Sequence, residues 1–414
     1  MLVPAKGPAR RFPLKATTLA SAPKGEPEDD RRSRRMRAFN PVFRDDISRL
    51  TQDSSALEDL ADSFPGLLFA LATGYATPAR RRACIAAVEL GAPLQRAAAT
   101  LSLPWWLRKL PGHAFTHRIT ALPDNAEFSR SIVDLVPAEP ERMGPWLWAI
   151  ERGYRGCHWQ FALWAARCLS KYNRGLKTLE GETDFRLLAA WAWHAGPGTH
   201  PSQRLLRKPW TETMGLRRAV DELGIWRRRM ALAIALDDHP EPPWLREGSA
   251  NGYDFVPLLT PEDFIRDSET MENCLDQFSD HLEDGASRIF SVRKKGRTVA
   301  NLEISLHENE PSMPTIRQLR GRRNRKSRPE IWRATYAWLG SQPLTPRYMT
   351  VRRPDRSRAQ RAAAELWGPY LRFLDAAGLS EEFATSVIGL KPASAKRVSK
   401  NEPSSSRAVV RTSQ

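Results

Sequence analysis

Two apolar-alternating runs, at 288–293 and 298–306, flank the tetrapeptide Lys294-Lys295-Gly296-Arg297. Gly296 accepts the positive φ of a tight turn, so the pair is predicted to fold back as an antiparallel hairpin. In the second run Ala300, Leu302, Ile304 and Leu306 share one face, while Asn301, Glu303 and Ser305 share the other. A lone two-stranded ribbon is at best marginally stable in water, so this one requires a further strand and a covering helix. Residues 315–320 supply the strand, after a loop with Pro311 and Pro314. Upstream, Thr260 is placed to cap a helix opening with Pro261, Glu262 and Asp263. A second helix is predicted over 269–283, with Met271, Cys274, Leu275, Phe278 and Leu282 on one face and Gly285 at its end. The expected architecture is an α+β module over 254–340, a helix packed on a small antiparallel sheet.

The rest of the chain reads differently. Between 46 and 236 the pattern is helical and the breaks carry Pro or Gly, as at Pro65-Gly66, Pro78 and Gly91. Ten tryptophans fall there, among them Trp105, Trp106, Trp210 and Trp226. They read either as core anchors or as stacking platforms, and Trp226 followed by Arg227, Arg228 and Arg229 is the strongest case for the second. Residues 1–45, with six prolines and the cluster Arg31, Arg32, Arg34, Arg35 and Arg37, are predicted to be a disordered basic arm. Residues 237–253 hold Pro240, Pro242, Pro243, Gly248 and Gly252 and are predicted to be a linker. A helical extension is expected over 341–390, centred on the apolar stripe Leu366, Trp367, Tyr370, Leu371 and Leu374, and a disordered tail over 391–414.

Charge bears on partners. A formal net charge of +17 and a pI near 10.1 favour nucleic acid or another anionic surface over a neutral ligand. Cys84, Cys157, Cys168 and Cys274 form no C-x-x-C pair, and His113, His117, His158, His194 and His200 share no ligand spacing. No metal or cofactor is therefore expected. Scattered free cysteines, no signal-type N-terminus and no apolar run of the ~18–20 residues that span a bilayer point to a cytoplasmic chain without membrane insertion.

Within 254–338 the order Asn273-Cys274-Leu275-Asp276, Gly285, Ile289-Phe290-Ser291-Val292-Arg293, Leu302-Glu303 and Gln318-Leu319-Arg320-Gly321-Arg322-Arg323-Asn324 resembles PcfJ-like proteins. These belong to conjugative plasmids, phages and other bacterial mobile elements. Their pattern runs through a His-Cys-Val-Gly-like core, a glycine, a hairpin with an internal Glu and a Gln-x-x-Gly-x-x-Asn segment. The segment from Leu103 to Pro111 resembles part of their helical region. This chain has Asn273 where the pattern has His, and Asp276 in place of the following glycine. The resemblance implies a part in conjugation or DNA processing, with partners from a mobile-element machinery.

Three sets of residues carry the candidate chemistry. Arg317, Arg320, Arg322, Arg323, Arg325, Lys326 and Arg328 supply phosphate donors. Glu303 and Gln318, joined by Asn301 and Asn324, form a polar network that either binds a ligand or ties the sheet to the next loop. Cys274 is either a buried residue of the helix face or a nucleophile; His281, seven residues on, lies about 10 Å away along a helix and is too far to be its base. The leading expectation is a non-enzymatic protein contacting the phosphate backbone of DNA or RNA. An enzyme using Cys274, Glu303 or Gln318, and a protein-interaction scaffold built on the tryptophan-rich helices, are the alternatives.

Overall fold

The computed structural model describes residues 28–171, 182–198, 200–238, 244–279, 282, 287–307, 313–343 and 356–388. The expected tail over 391–414 and most of the N-terminal arm lie outside the described residues, as do Gly285 and His281. The chain divides into two compact units, 1–120 with 138–147, and 121–137 with 148–414. The predicted helical region over 46–236 is therefore shared between them.

The first unit is helical. Part of the expected arm is ordered in it: Glu28–Arg37 is a helix, because Met36 and Phe39 are buried and Arg35 bridges Glu58, Asp59 and Asp62 at 2.7–3.1 Å. Pro65–Thr73 buries nearly every side chain and stacks Phe69 on Phe115. Gly66 is required there, since a Cβ would stand 3.0 Å from the Phe115 ring. Thr77 caps Pro78–Glu89 as Pro78 leads one to expect. In the segment from Leu103 to Pro111, Trp106 and Leu107 are core, while Trp105 lies under Arg108 with 37% of its surface exposed.

In the second unit, Trp159–Lys171, Glu182–His194, Leu216–Asp238 and Arg356–Asp375 bury most of their aromatic rings. Trp226 is fully buried, with its indole N–H donated to the Ser202 carbonyl, so it is a core anchor and no stacking platform. Arg229 is 2% exposed and pairs with Glu269 and Asp276. The predicted C-terminal helix packs Leu366, Trp367 and Tyr370 against the other helices of this unit.

The sheet is a five-stranded antiparallel meander, in order β1 (Gly248–Ala250), β2 (Tyr253–Pro257), β3 (Ser287–Lys294), β4 (Arg297–Leu306) and β5 (Pro314–Gly321). It begins inside the expected linker, where Asn251 and Gly252 take the two positive-φ positions of a hairpin turn and Trp244 and Leu245 are buried. The predicted β3–β4 hairpin turns at Lys295 and Gly296, both at positive φ. One face, built of Phe255, Phe290, Val292, Ala300, Leu302 and Leu319, is covered by Ile331, Ala334 and Trp338 of the helix Pro329–Gly340. Trp338 stacks on Phe255 at 4.5 Å. The opposite face meets the Pro261–Met271 helix and Leu232 and Ala235 of the Leu216–Asp238 helix. The capping box between Thr260 and Asp263 starts the first of these as expected.

The predicted 269–283 helix is not continuous. Its first turn belongs to Pro261–Met271, which stops at Glu272 in the left-handed conformation (φ 49°, ψ 47°); a short 3-10 turn, Leu275–Gln277, follows, and among the described residues Ser279 and Leu282 are helical again. Met271, Leu275 and Leu282 still reach the core, but Cys274 is released to the surface. Among the described residues, no helix is long and apolar enough to cross a membrane.

Candidate functional site

Two clefts lie on the module, either side of the chain that leaves β5. The larger, about 1000 Å³, is lined by Arg266 of the Pro261–Met271 helix, Arg293, Lys294 and Arg297 of the β3–β4 hairpin, and Arg322, Arg325, Lys326 and Arg328. Among the described residues one carboxylate, Asp267, lines it. It is 1% exposed and accepts hydrogen bonds from Thr298 Oγ1 at 3.1 Å and Asn301 Nδ2 at 2.8 Å. Eight cations around a single, internally committed acid make a site for a polyanion. Arg266 and Arg322 are occupied by Asp263 and Glu272, respectively.

The sequence-predicted arginines are divided by the fold. Arg322, Arg325, Lys326 and Arg328 reach the larger cleft. Arg317 and Arg320 line the second, and Arg323 lines neither, its guanidinium donating to Glu272 at 2.5 Å. Hydrogen bonds from Arg322 and then Arg323 hold the Glu272 carboxyl below its ordinary range, so it is ionised at neutral pH. Both Arg323 and Asn324 have positive φ. Asparagine tolerates that conformation well, which gives the Asn of the Gln-x-x-Gly-x-x-Asn segment a local backbone reason. Gly321 has φ −85° and an added Cβ would meet nothing nearer than 3.6 Å, so its backbone does not demand glycine.

The second cleft, about 600 Å³, gathers Asn273, Cys274, Asn301, Glu303, Arg317, Gln318, Arg320 and Asn324 over Leu275, Phe278 and Ile289. Glu303 and Gln318 are direct cross-strand partners, and Gln318 Nε2 donates to Glu303 Oε2 at 2.6 Å. Ser287 Oγ donates to Glu303 Oε1 at 2.9 Å. A bulge between Glu303 and Ile304 releases Arg317 from the register and brings its guanidinium to 3.4 Å from Glu303. Glu303 is 2% exposed, and a buried carboxylate is tolerable only with such partners. Asn301 extends a separate line, accepting from Asn273 Nδ2 at 2.7 Å and donating to Asp267. Asn324 Nδ2 donates to Cys274 Sγ at 3.5 Å.

Cys274 is thus an exposed cleft residue, unlike Cys84, Cys157 and Cys168, which are buried. Among the described residues that line the cleft there is no histidine; His307, at the end of β4, is exposed and is not one of them. The cations of the hairpin and Arg266 were missed from sequence. Lys294-Lys295-Gly296-Arg297 carried the signal, but it was spent on the turn. Among the described residues, no group of three His, Cys, Asp or Glu side chains is placed to hold a metal ion. Comparison with known proteins returns nothing: no family model, curated protein or solved structure matches the chain.

Proposed function

We propose that the chain is a nucleic-acid-associated accessory protein of a bacterial mobile element, akin to PcfJ-like proteins and acting in the cytoplasm. Its basic cleft holds a phosphate backbone. The observation that carries this reading is the convergence of eight cations from three separate elements on one cleft whose only acid, among the described residues, is bonded internally. Arginine and lysine donors spaced along a groove suit successive phosphates, and they read charge without reading sequence. The motif order from Asn273 to Asn324 supports the kinship. The test is a gel shift of the full chain with labelled single- and double-stranded oligonucleotides, after purification with nuclease. Binding that weakens in an Arg325→Ala, Lys326→Ala, Arg328→Ala triple variant is expected. Equal binding by the triple variant overturns the assignment.

A second reading, an enzyme using Cys274 or Glu303, is favoured by the exposure of the thiol in a cleft that also holds a carboxylate. A thiol nucleophile requires a base or a cation that favours the thiolate. Turnover lost in a Cys274→Ser variant, on any candidate substrate, would distinguish it.

A further inference from the structure

The second cleft differs in chemistry from the first. Its floor is apolar, from Leu275, Phe278 and Ile289, and its rim carries amides and a thiol. Much of that polarity is fixed before any ligand arrives. Asn273 and Asn301 are engaged with each other and with Asp267, and the Gln318 N–H is committed to Glu303. The Gln318 and Asn324 carbonyl oxygens and the Arg320 guanidinium remain around the opening, where Asn324 Nδ2 donates to the Cys274 thiol. A flat heterocycle with polar edges and apolar faces matches this lining. The two clefts also share one segment: Arg320 and Asn324 line this one, while Gly321, Arg322 and Arg325 line the basic one.

We propose that this cleft receives a nucleobase from a nucleic acid whose phosphates occupy the basic cleft. The base lies against Phe278 and presents its edge to Gln318 and Asn324. This rests on the phosphate reading above and narrows it. A base inside a duplex cannot enter such a cleft, so the ligand is single-stranded or carries an extruded nucleotide. The arrangement is the usual division of labour on single strands, where cations track the backbone and a ring supports the base.

The test compares a fluorescein-labelled oligothymidylate with an abasic oligomer of equal length, binding to the full chain in anisotropy titrations. The base-bearing strand is expected to bind about tenfold more tightly, the increment of roughly one stacked base. Phe278→Ala should erase the difference and leave abasic binding unchanged. Because Phe278 also packs on the neighbouring core, Asn324→Gly is the second variant. It keeps the positive-φ backbone, removes the amide and should reduce the preference. A third readout is independent of both variants. Cys274 is the one exposed thiol of the four, so it should react with a disulfide reagent in the native chain, slowly under the oligothymidylate and at the free rate under the abasic strand. Equal affinity and equal protection by the two strands would overturn the nucleobase site while leaving the phosphate reading intact. Binding of neither strand would overturn both.

Discussion

Neutralising Arg325, Lys326 and Arg328 together removes three of the eight cations that line the basic cleft. Two others, Arg266 and Arg322, are held by Asp263 and Glu272, which leaves Arg293, Lys294, Arg297 and those three to meet phosphate. Each phosphate neutralised on a single strand contributes about 0.7 to the slope of log affinity against log salt. Six contacts predict a slope near −4, or about a 300-fold loss of affinity over a fourfold rise in salt. With three contacts removed, the slope should fall to about −2 and the loss to about 20-fold. Anisotropy titrations of a labelled single strand in a salt series measure both. Glu272→Gln provides the opposite perturbation: it frees Arg322 and should steepen the slope by up to about 0.7. A triple variant with the wild-type slope, or a wild-type slope near zero, would refute the counting of cations in this cleft.

Glu303→Leu strips Gln318, Ser287 and Arg317 of a shared acceptor; Arg317 is half exposed and stays solvated, while an unsatisfied buried donor costs about 1–3 kcal/mol, so Ser287 and Gln318 together lose about 2–5 kcal/mol. Glu303→Gln keeps one acceptor and should cost only about 1–2 kcal/mol in urea unfolding; equal losses for the two would show the charge to be irrelevant. Burial, then the nearby His200, lowers His194 to about 3. The folded chain therefore keeps this imidazole neutral, while the unfolded chain protonates it below about 6.5. Its contribution is complete above that pH and lost as pH falls towards 3, at no more than about 1.4 kcal/mol per unit. His194→Gln should flatten the dependence of unfolding midpoint between about pH 3 and 6.5, and an unchanged dependence would refute the assignment.

The β3–β4 hairpin was legible because local chemistry and global packing agree there: a glycine turn, then strict alternation with one apolar face. The first hairpin was missed although Asn251-Gly252 is a strong turn signal, because its prolines and glycines suggested a linker. The buried Trp244 and Leu245 decided the matter. The extended helix over 269–283 failed for another reason. Its apolar spacing is real, and Met271, Leu275 and Leu282 are buried as that spacing implies. Spacing reports which side chains seek the core, however, and it does not detect a backbone that leaves the helix at Glu272. The change of conformation moved Cys274 from a supposed core face to the rim of a cleft.

A run of arginines in sequence is not a patch in space, and the segment from Arg317 to Arg328 shows why. Along β5 the bulge and the strand alternation send Arg317 and Arg320 to the side of Glu303 and Gln318, while Leu319 enters the core. After Gly321 the chain turns through two positive-φ residues and comes back so that Lys326 bridges Arg320 and the Arg325 carbonyl accepts from Gly321 N–H at 2.8 Å. That reversal carries Arg325, Lys326 and Arg328 to the opposite cleft, beside hairpin cations far away in sequence. Glu272 ties down Arg322 and Arg323 between the two groups. Charge that reads as one block is thereby sorted into a phosphate-type cleft and the rim of an amide-lined one. The sorting depends on backbone geometry at Arg317, Arg323 and Asn324, which no count of charges along the chain contains.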